Sequence, residues 1–265
     1  MSYADVNGLS LYYEEHGSGE PLVLLHGGIG AGEMFGAILP ELSANRRVIA
    51  VDLQGHGGTA DVDRPFRPET MADDIAALIE HLGLPQADVM GYSLGGMVAL
   101  RMAIQHPQRV RRLVLVSIGF KRAGSHPEVV EAMDQFSPEL ADVLKQSPLY
   151  ERYSRLAPRV EAWPVLIAKT SGLLNDDYDW TAETERLETP TMLVYADADS
   201  VRPAHIVEFY GLLGGGLRDA SWDGSLRPTA RLAILPGTTH YDIYASPALA
   251  PAVIPFLDAR AADPA

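Results

Sequence analysis

The chain has 265 residues, 47% of them hydrophobic, and a formal net charge of −14. That length and apolar content support one large domain or a domain with an insertion, and they argue against disorder. The acidic balance disfavours nonspecific binding to nucleic acid, and the lack of any cysteine excludes disulfides, thiolate catalysis and cysteine-based zinc sites.

Met1 to Leu11 carries neither a basic n-region nor an apolar h-region. No run approaches the ~20 apolar residues that span a bilayer. The expectation is a cytoplasmic protein with no membrane partner. Ala261 to Ala265 read as a loose end.

Tyr3–Val6 and Leu9–Glu14 flank Asn7-Gly8, a strong hairpin signal. Pro21–His26 predicts a buried strand. A Gly-rich loop follows, then a helix over about Glu33–Leu42. Arg47–Asp52 is the next strand, and Glu69–Leu82 has helical spacing at Met71, Ile75, Leu78, Ile79 and Leu82, stopped by Gly83. An Asp88–Tyr92 strand, a Leu94–His106 helix and a Val110–Ser117 strand come next. Such alternation implies an α/β fold with a mostly parallel central sheet flanked by helices. The cluster Arg109-Val110-Arg111-Arg112 reads as a solvated approach to its strand.

The rhythm breaks after Ser117. From about Gly119 to Thr189 no buried strand is evident, and five prolines separate short amphipathic helices. This predicts a helical cap inserted at 119–189 into a core formed by 1–118 and 190–265. The sheet resumes at Thr191–Tyr195. A helix follows over Pro203–Leu213, with proline at its start, then a strand over Arg231–Leu235 and a closing helix over Pro247–Arg260. Gly214–Pro228 is Gly-rich and irregular, and the sequence assigns it no function.

Gly91-Tyr92-Ser93-Leu94-Gly95 lies between an apolar strand and a helix. A serine at such a sharp turn has its hydroxyl exposed, and the N–H that follows points at a reacting carbonyl. The hydroxyl needs a base, and the base an orienting partner. Asp197 and Asp199 follow one later strand, and His240 follows the last. Loops at the carboxyl ends of parallel strands converge on one crevice, so these residues can meet. Their chain order is serine, acid, histidine. No histidine pair has metal-ligand spacing, so a catalytic metal is not expected. A dinucleotide site fails because Glu33 stands where the third glycine of G-x-G-x-x-G belongs.

With His26-Gly27-Gly28, Asp52-Leu53-Gln54-Gly55-His56-Gly57, the Ser93 elbow extended by Gly96, Asp197-Ala198-Asp199 and His240, the chain resembles the α/β-hydrolase fold superfamily from about Leu9 to Arg260, and within it a serine esterase or enol-lactonase-like branch. The resemblance implies Ser93 as nucleophile, Asp199 rather than Asp197 as acid, and His240 as base. It implies an oxyanion hole from the N–H groups of Gly28 and Leu94, with Ile29 as fallback and pocket residue. His26 and His56 are expected to hydrogen-bond within their loops. The cap supplies candidate pocket residues Phe120, Met133, Phe136, Trp163 and Leu173. The implied activity is hydrolysis of a carboxylic ester of a small to medium acyl substrate, without cofactor. Enol-lactone or carbon–carbon bond hydrolysis on the same triad is the alternative, and a ligand-sensing protein on this fold a third. The implied partner is a small-molecule ester or lactone, with no nucleic acid.

Overall fold

The computed structural model describes residues 2–259; Arg260 and the expected loose end at Ala261 to Ala265 lie outside them. Eight strands form one sheet in the order β1-β2-β4-β3-β5-β6-β7-β8. They are β1 (Ser2–Val6), β2 (Leu9–His16), β3 (Glu20–Leu25), β4 (Arg46–Val51), β5 (Ala87–Tyr92), β6 (Val110–Val116), β7 (Thr191–Ala198) and β8 (Arg231–Thr239). β1 and β2 run antiparallel to their neighbours, and the rest are parallel. The β1–β2 turn uses Asn7 at φ 49° and Gly8 at φ 79°, the two positive angles that a tight hairpin turn requires.

Alternation along each strand builds two cores. Val23 and Leu25 of β3 join the face covered by α2 (Pro68–His81) and α3 (Leu94–Gln105), with Ile75, Leu78, Val98 and Met102 against them. Leu22 and Leu24 face the other way, toward α1 (Leu39–Leu42) and α10 (Leu249–Asp258), with Leu42, Val253 and Leu257 opposite. Strands buried on both faces read as continuous apolar runs for this reason.

The helix expected over Glu33–Leu42 is instead a 3₁₀ turn at Gly32–Ala37 followed by α1. Pro40 cannot donate the bond that would continue a helix through Gly36, so the helix restarts with proline in its first turn. Between β6 and β7 the chain forms α4 (Pro127–Gln135), α5 (Leu140–Leu144), α6 (Pro148–Leu156), α7 (Trp163–Asn175) and α8 (Thr181–Thr184). After β7, α9 (Pro203–Leu212) packs Ile206 and Phe209 on the first core.

The arginines at 111 and 112 are not solvated, which corrects the sequence reading. Arg112 is buried and its guanidinium reaches the Leu257 and Ala259 carbonyls. Arg111 donates to both oxygens of buried Asp88, at 2.9 and 2.5 Å, and Arg46 donates to the same carboxylate at 2.9 Å. A carboxylate with no exposed surface needs such partners, and the arginines supply them.

Candidate active site

The elbow is shaped by what cannot fit there. A Cβ on Gly91 would lie 2.1 Å from the Gly95 carbonyl oxygen, and one on Gly95 would lie 2.2 Å from that of Leu25. Only glycines allow β5 to turn so abruptly into α3. Ser93 sits at the apex with φ 51° and ψ −119°, a conformation that costs a non-glycine residue about 1–3 kcal/mol. Ser93 N–H to Val116 O and Gly95 N–H to His26 O hold the turn in place.

β7 and β8 run further than their apolar sequence indicates. After an irregularity between Ala196 and Ala198, Ala198 pairs with Thr239. The residues that follow, Asp199 and His240, therefore emerge side by side. The Asp197 carboxylate accepts the N–H groups of Gly237 and Thr238 at 2.9 and 3.1 Å and so ties the end of β8 to β7. The Tyr92 hydroxyl donates to the His240 carbonyl at 2.6 Å, which anchors the imidazole loop from below.

In this arrangement His240 Nε2 lies 3.3 Å from Ser93 Oγ, and His240 Nδ1 lies 3.2 Å from Asp199 Oδ1. Asp199 is nearly inaccessible. Burial alone raises a carboxyl pKa; here the bonds from His240, Ser117 Oγ (2.5 Å) and the Ala196 N–H (3.0 Å), with the charge of His240, outweigh it and leave the carboxyl below its ordinary value. The acid is thus held ionised where it can orient an imidazole. Ser200 Oγ lies 2.8 Å from the same Nδ1.

The loop after β3 is fixed by His26. Its Nε2 accepts the Leu53 N–H at 3.0 Å, and its Nδ1 lies 2.7 Å from the Gly27 carbonyl oxygen, to which it donates. Burial pulls its pKa down to about 4, so the ring is neutral near pH 7, as this bonding needs. His56 similarly donates Nδ1 to the Gln54 carbonyl at 2.8 Å. Both rings have the loop-bonding roles expected of them. Gly28 and Ser93 border one small cavity with Leu94. Among the described residues, neither the Gly28 nor the Leu94 N–H has a hydrogen-bond partner, and Leu94 opens α3, where such donors are free.

A cleft of about 530 Å³ opens over Ser93 and His240, and the smaller cavity, of about 110 Å³, lies beside it on the Gly28–Leu94 side. Met133 borders both, Phe136 the larger and Leu173 the smaller. Ile29 is buried at φ 54° and borders neither, a position suited to shaping the loop. Three expected pocket residues are thus corrected, Ile29 and two aromatic ones. Phe120 has no exposed surface and stacks on His205 at 4.2 Å; Trp163 is equally enclosed and donates Nε1 to the Ala141 carbonyl at 2.7 Å. Both rings fill the interior instead of the cleft.

Sequence reasoning missed Met97, Ser117, Tyr178 and Ser200, all of which line the cleft. Met97 stands four residues after Ser93 on α3, so helical spacing could have found it. Ser117 directly follows β6, at φ 53°, and Ser200 directly follows Asp199. Their roles depend on tertiary approach. No group of acidic or histidine side chains suited to a metal ion occurs among the described residues, and no helix there is long and apolar enough to cross a membrane.

The chain belongs to the alpha/beta hydrolase fold family, whose family model matches residues 20–217. It is 31% identical over 205 residues to a pimeloyl-[acyl-carrier protein] methyl ester esterase of Neisseria meningitidis, covering 70% of this chain and 78% of that protein. It is 34% identical over 143 residues to a 2-hydroxymuconate semialdehyde hydrolase of a Pseudomonas species; that match covers 51% of this chain and about half, 49%, of the relative. In structure it is similar to the enol-lactonase of Burkholderia xenovorans, with a TM-score of 0.70 at 22% identity, over 97% of this chain and 100% of that one. This last likeness concerns the fold.

Proposed function

We propose that the protein is a serine hydrolase that cleaves a carboxylic ester of a small to medium acyl substrate, without a cofactor. The observation that carries this reading is the unbroken line Ser93 Oγ, His240 Nε2, His240 Nδ1, Asp199 Oδ1, with gaps of 3.3 and 3.2 Å. The esterase relative supports the bond type.

In this mechanism His240 Nε2 takes the Ser93 proton as Oγ bonds to the carbonyl carbon. The carbonyl electron pair moves to oxygen, where the Gly28 and Leu94 N–H groups stabilise it; each such donor contributes about 2.7–4 kcal/mol in related chemistry. Collapse breaks the bond to the alkoxy oxygen, which leaves with the proton from His240. Water then gives a proton to His240 and its oxygen to the acyl carbon, and Ser93 departs reprotonated. Ester and water become acid and alcohol. Asp199 stabilises the imidazolium throughout. Residues 119–189 serve as a cap over the core of 1–118 and 190–265, and close the cleft.

Lactone or carbon–carbon bond hydrolysis on the same residues is the second reading, supported by the similarity to the Pseudomonas hydrolase. A fluorophosphonate probe, with rates on p-nitrophenyl esters, lactones and vinylogous diketones, tests both. The proposal expects stoichiometric labelling at Ser93 and fastest turnover of esters. Labelling with turnover only of a lactone or diketone would favour the second reading. No labelling at Ser93 would leave a binding protein.

A further inference from the structure

The two spaces beside Ser93 differ in charge, and the reaction geometry says which half of a substrate each receives. A tetrahedral centre on Ser93 has its oxygen toward Leu94 and Gly28 and its leaving group toward the imidazole that protonates it. His240 borders the larger cleft, so the leaving group lies there. The smaller cavity is not bordered by His240, although Met97, Ser125, Met133, Leu174 and Tyr178 border both spaces. On the proposed mechanism, that cavity receives the acyl group.

One of its walls is cationic. Arg122 borders it, with only 15% of its side chain exposed. Its Nε donates to the Leu174 carbonyl at 3.1 Å, and one Nη donates to Asp134 at 2.5 Å, on an aspartate that is mostly solvent-exposed. The second Nη has no protein partner among the described residues, and neither has the hydroxyl of Thr170, which lines the same cavity, or of Ser125, which lines both spaces. None of these atoms is sealed off while unpartnered. Three donors, one of them charged, thus remain available in a space lined mainly by Met97, Met133, Leu173 and Leu174, with Tyr178, whose hydroxyl donates to the Gly119 carbonyl at 3.4 Å. Among the described residues, the only carboxylate bordering the larger cleft is Glu128.

We infer that Arg122, with Ser125 and Thr170, is a recognition site for a carboxylate at the far end of the acyl group, so that the preferred substrates are monoesters of short dicarboxylic acids. A guanidinium already braced by a carbonyl and an aspartate loses little freedom when it donates to a further carboxylate oxygen, and a charged hydrogen bond in a narrow cavity is strong. The inference rests on the ester-hydrolase reading for its direction and adds the substrate class.

The test compares the phenyl monoester of glutaric acid with phenyl pentanoate, which share a leaving group and chain length and differ in the terminal carboxylate. The wild-type protein is expected to favour the acid at least tenfold in kcat/KM. Arg122→Gln should raise KM for the acid 10- to 100-fold and leave the neutral ester within threefold, and Arg122→Lys should recover part of the preference. A wild-type preference for the neutral ester, or an equal loss on both esters in Arg122→Gln, would overturn the inference while leaving ester hydrolysis intact. Calorimetric titration of Ser93→Ala with glutarate is independent of turnover. Binding that is lost on adding Arg122→Gln supports the site even if no ester is cleaved; absence of binding to Ser93→Ala contradicts it.

Discussion

The carboxyl ends of the strands and the helical segment between β6 and β7 border the same cleft but are built differently. At the strand ends, nearly every polar atom is held by another: Asp199 by Ser117 and the Ala196 N–H, Asp197 by the Gly237 and Thr238 N–H groups, and the His240 loop by Tyr92. The helical segment is held mostly by apolar packing. α4 has no buried residue, while Trp163, Leu166 and Ile167 of α7 join the first core, and the segment's polar ties include the His126 N–H to the Ser200 carbonyl and ion pairs of Arg152 and Arg155 to Glu33 and of Lys169 to Asp61. Under the proposed function, the first region would carry the chemistry and the second the choice of substrate.

The sharpest way to break this contrast lies within the strand ends. Asp199→Asn removes the ionised partner of His240 and should lower kcat on a p-nitrophenyl ester by about 10³–10⁴. Asp197→Asn should cost less than tenfold, because it loosens a loop. The reverse ranking would move the orienting role to Asp197.

A second substitution separates scaffold from site. Asp88→Asn leaves Arg46 and Arg111 without the carboxylate they share, at the opposite end of β5 from the elbow. Breaking such a buried pair costs about 3–5 kcal/mol. Urea unfolding should show that loss while kcat at low temperature stays close to wild type.

Lowering the pH probes the loops that fix the elbow. Burial pulls the pKa of His26 to about 4 and that of His56 to about 3. Between roughly pH 4 and 6.5 the unfolded chain binds protons that these neutral rings refuse, so stability rises with pH across the window and falls on acidification. Each ring contributes on the order of 3 kcal/mol. Asp52, raised to about 6 by burial, acts with the opposite sign over about 4 to 6, and offsets part of the gain. Unfolding free energies at pH 4.5 and 7 should differ by a few kcal/mol, and less in His26→Asn.

The smallest effect concerns the tether. Lys169 donates to the Asp61 carboxylate at 2.7 Å and to the Val62 and Arg64 carbonyls at 2.6 and 2.7 Å. Lys169→Met should raise KM a few-fold and leave kcat within twofold. A large fall in kcat would mean that the helices position reacting atoms after all.

Much of the strand-end region was legible because its signals are local. Apolar runs marked the strands, and glycines at 91 and 95 marked a turn no Cβ could enter. The order of Ser93, Asp199 and His240 matched a known topology. The extension of β7 and β8 was not legible, since Asp197, Pro236 and Gly237 do not look like strand residues. The helical segment hid its pocket because an aromatic ring suits a core as well as a cleft. Phe120 and Trp163 went to the interior, and Met133, Phe136 and Leu173 to the cavity walls, on differences of packing that no spacing encodes. Arg112 looked solvated because the carbonyls that receive it lie about 145 residues away.

The central claim is that residues 93 and 240 act as one unit. Single-residue kinetics of Ser93→Ala, His240→Ala and the double variant on a p-nitrophenyl ester test it most directly. The account predicts that each single change lowers kcat at least about a thousandfold and that the double variant is no slower than either. Losses that multiply in the double variant, or a single variant that keeps wild-type rates, would contradict it.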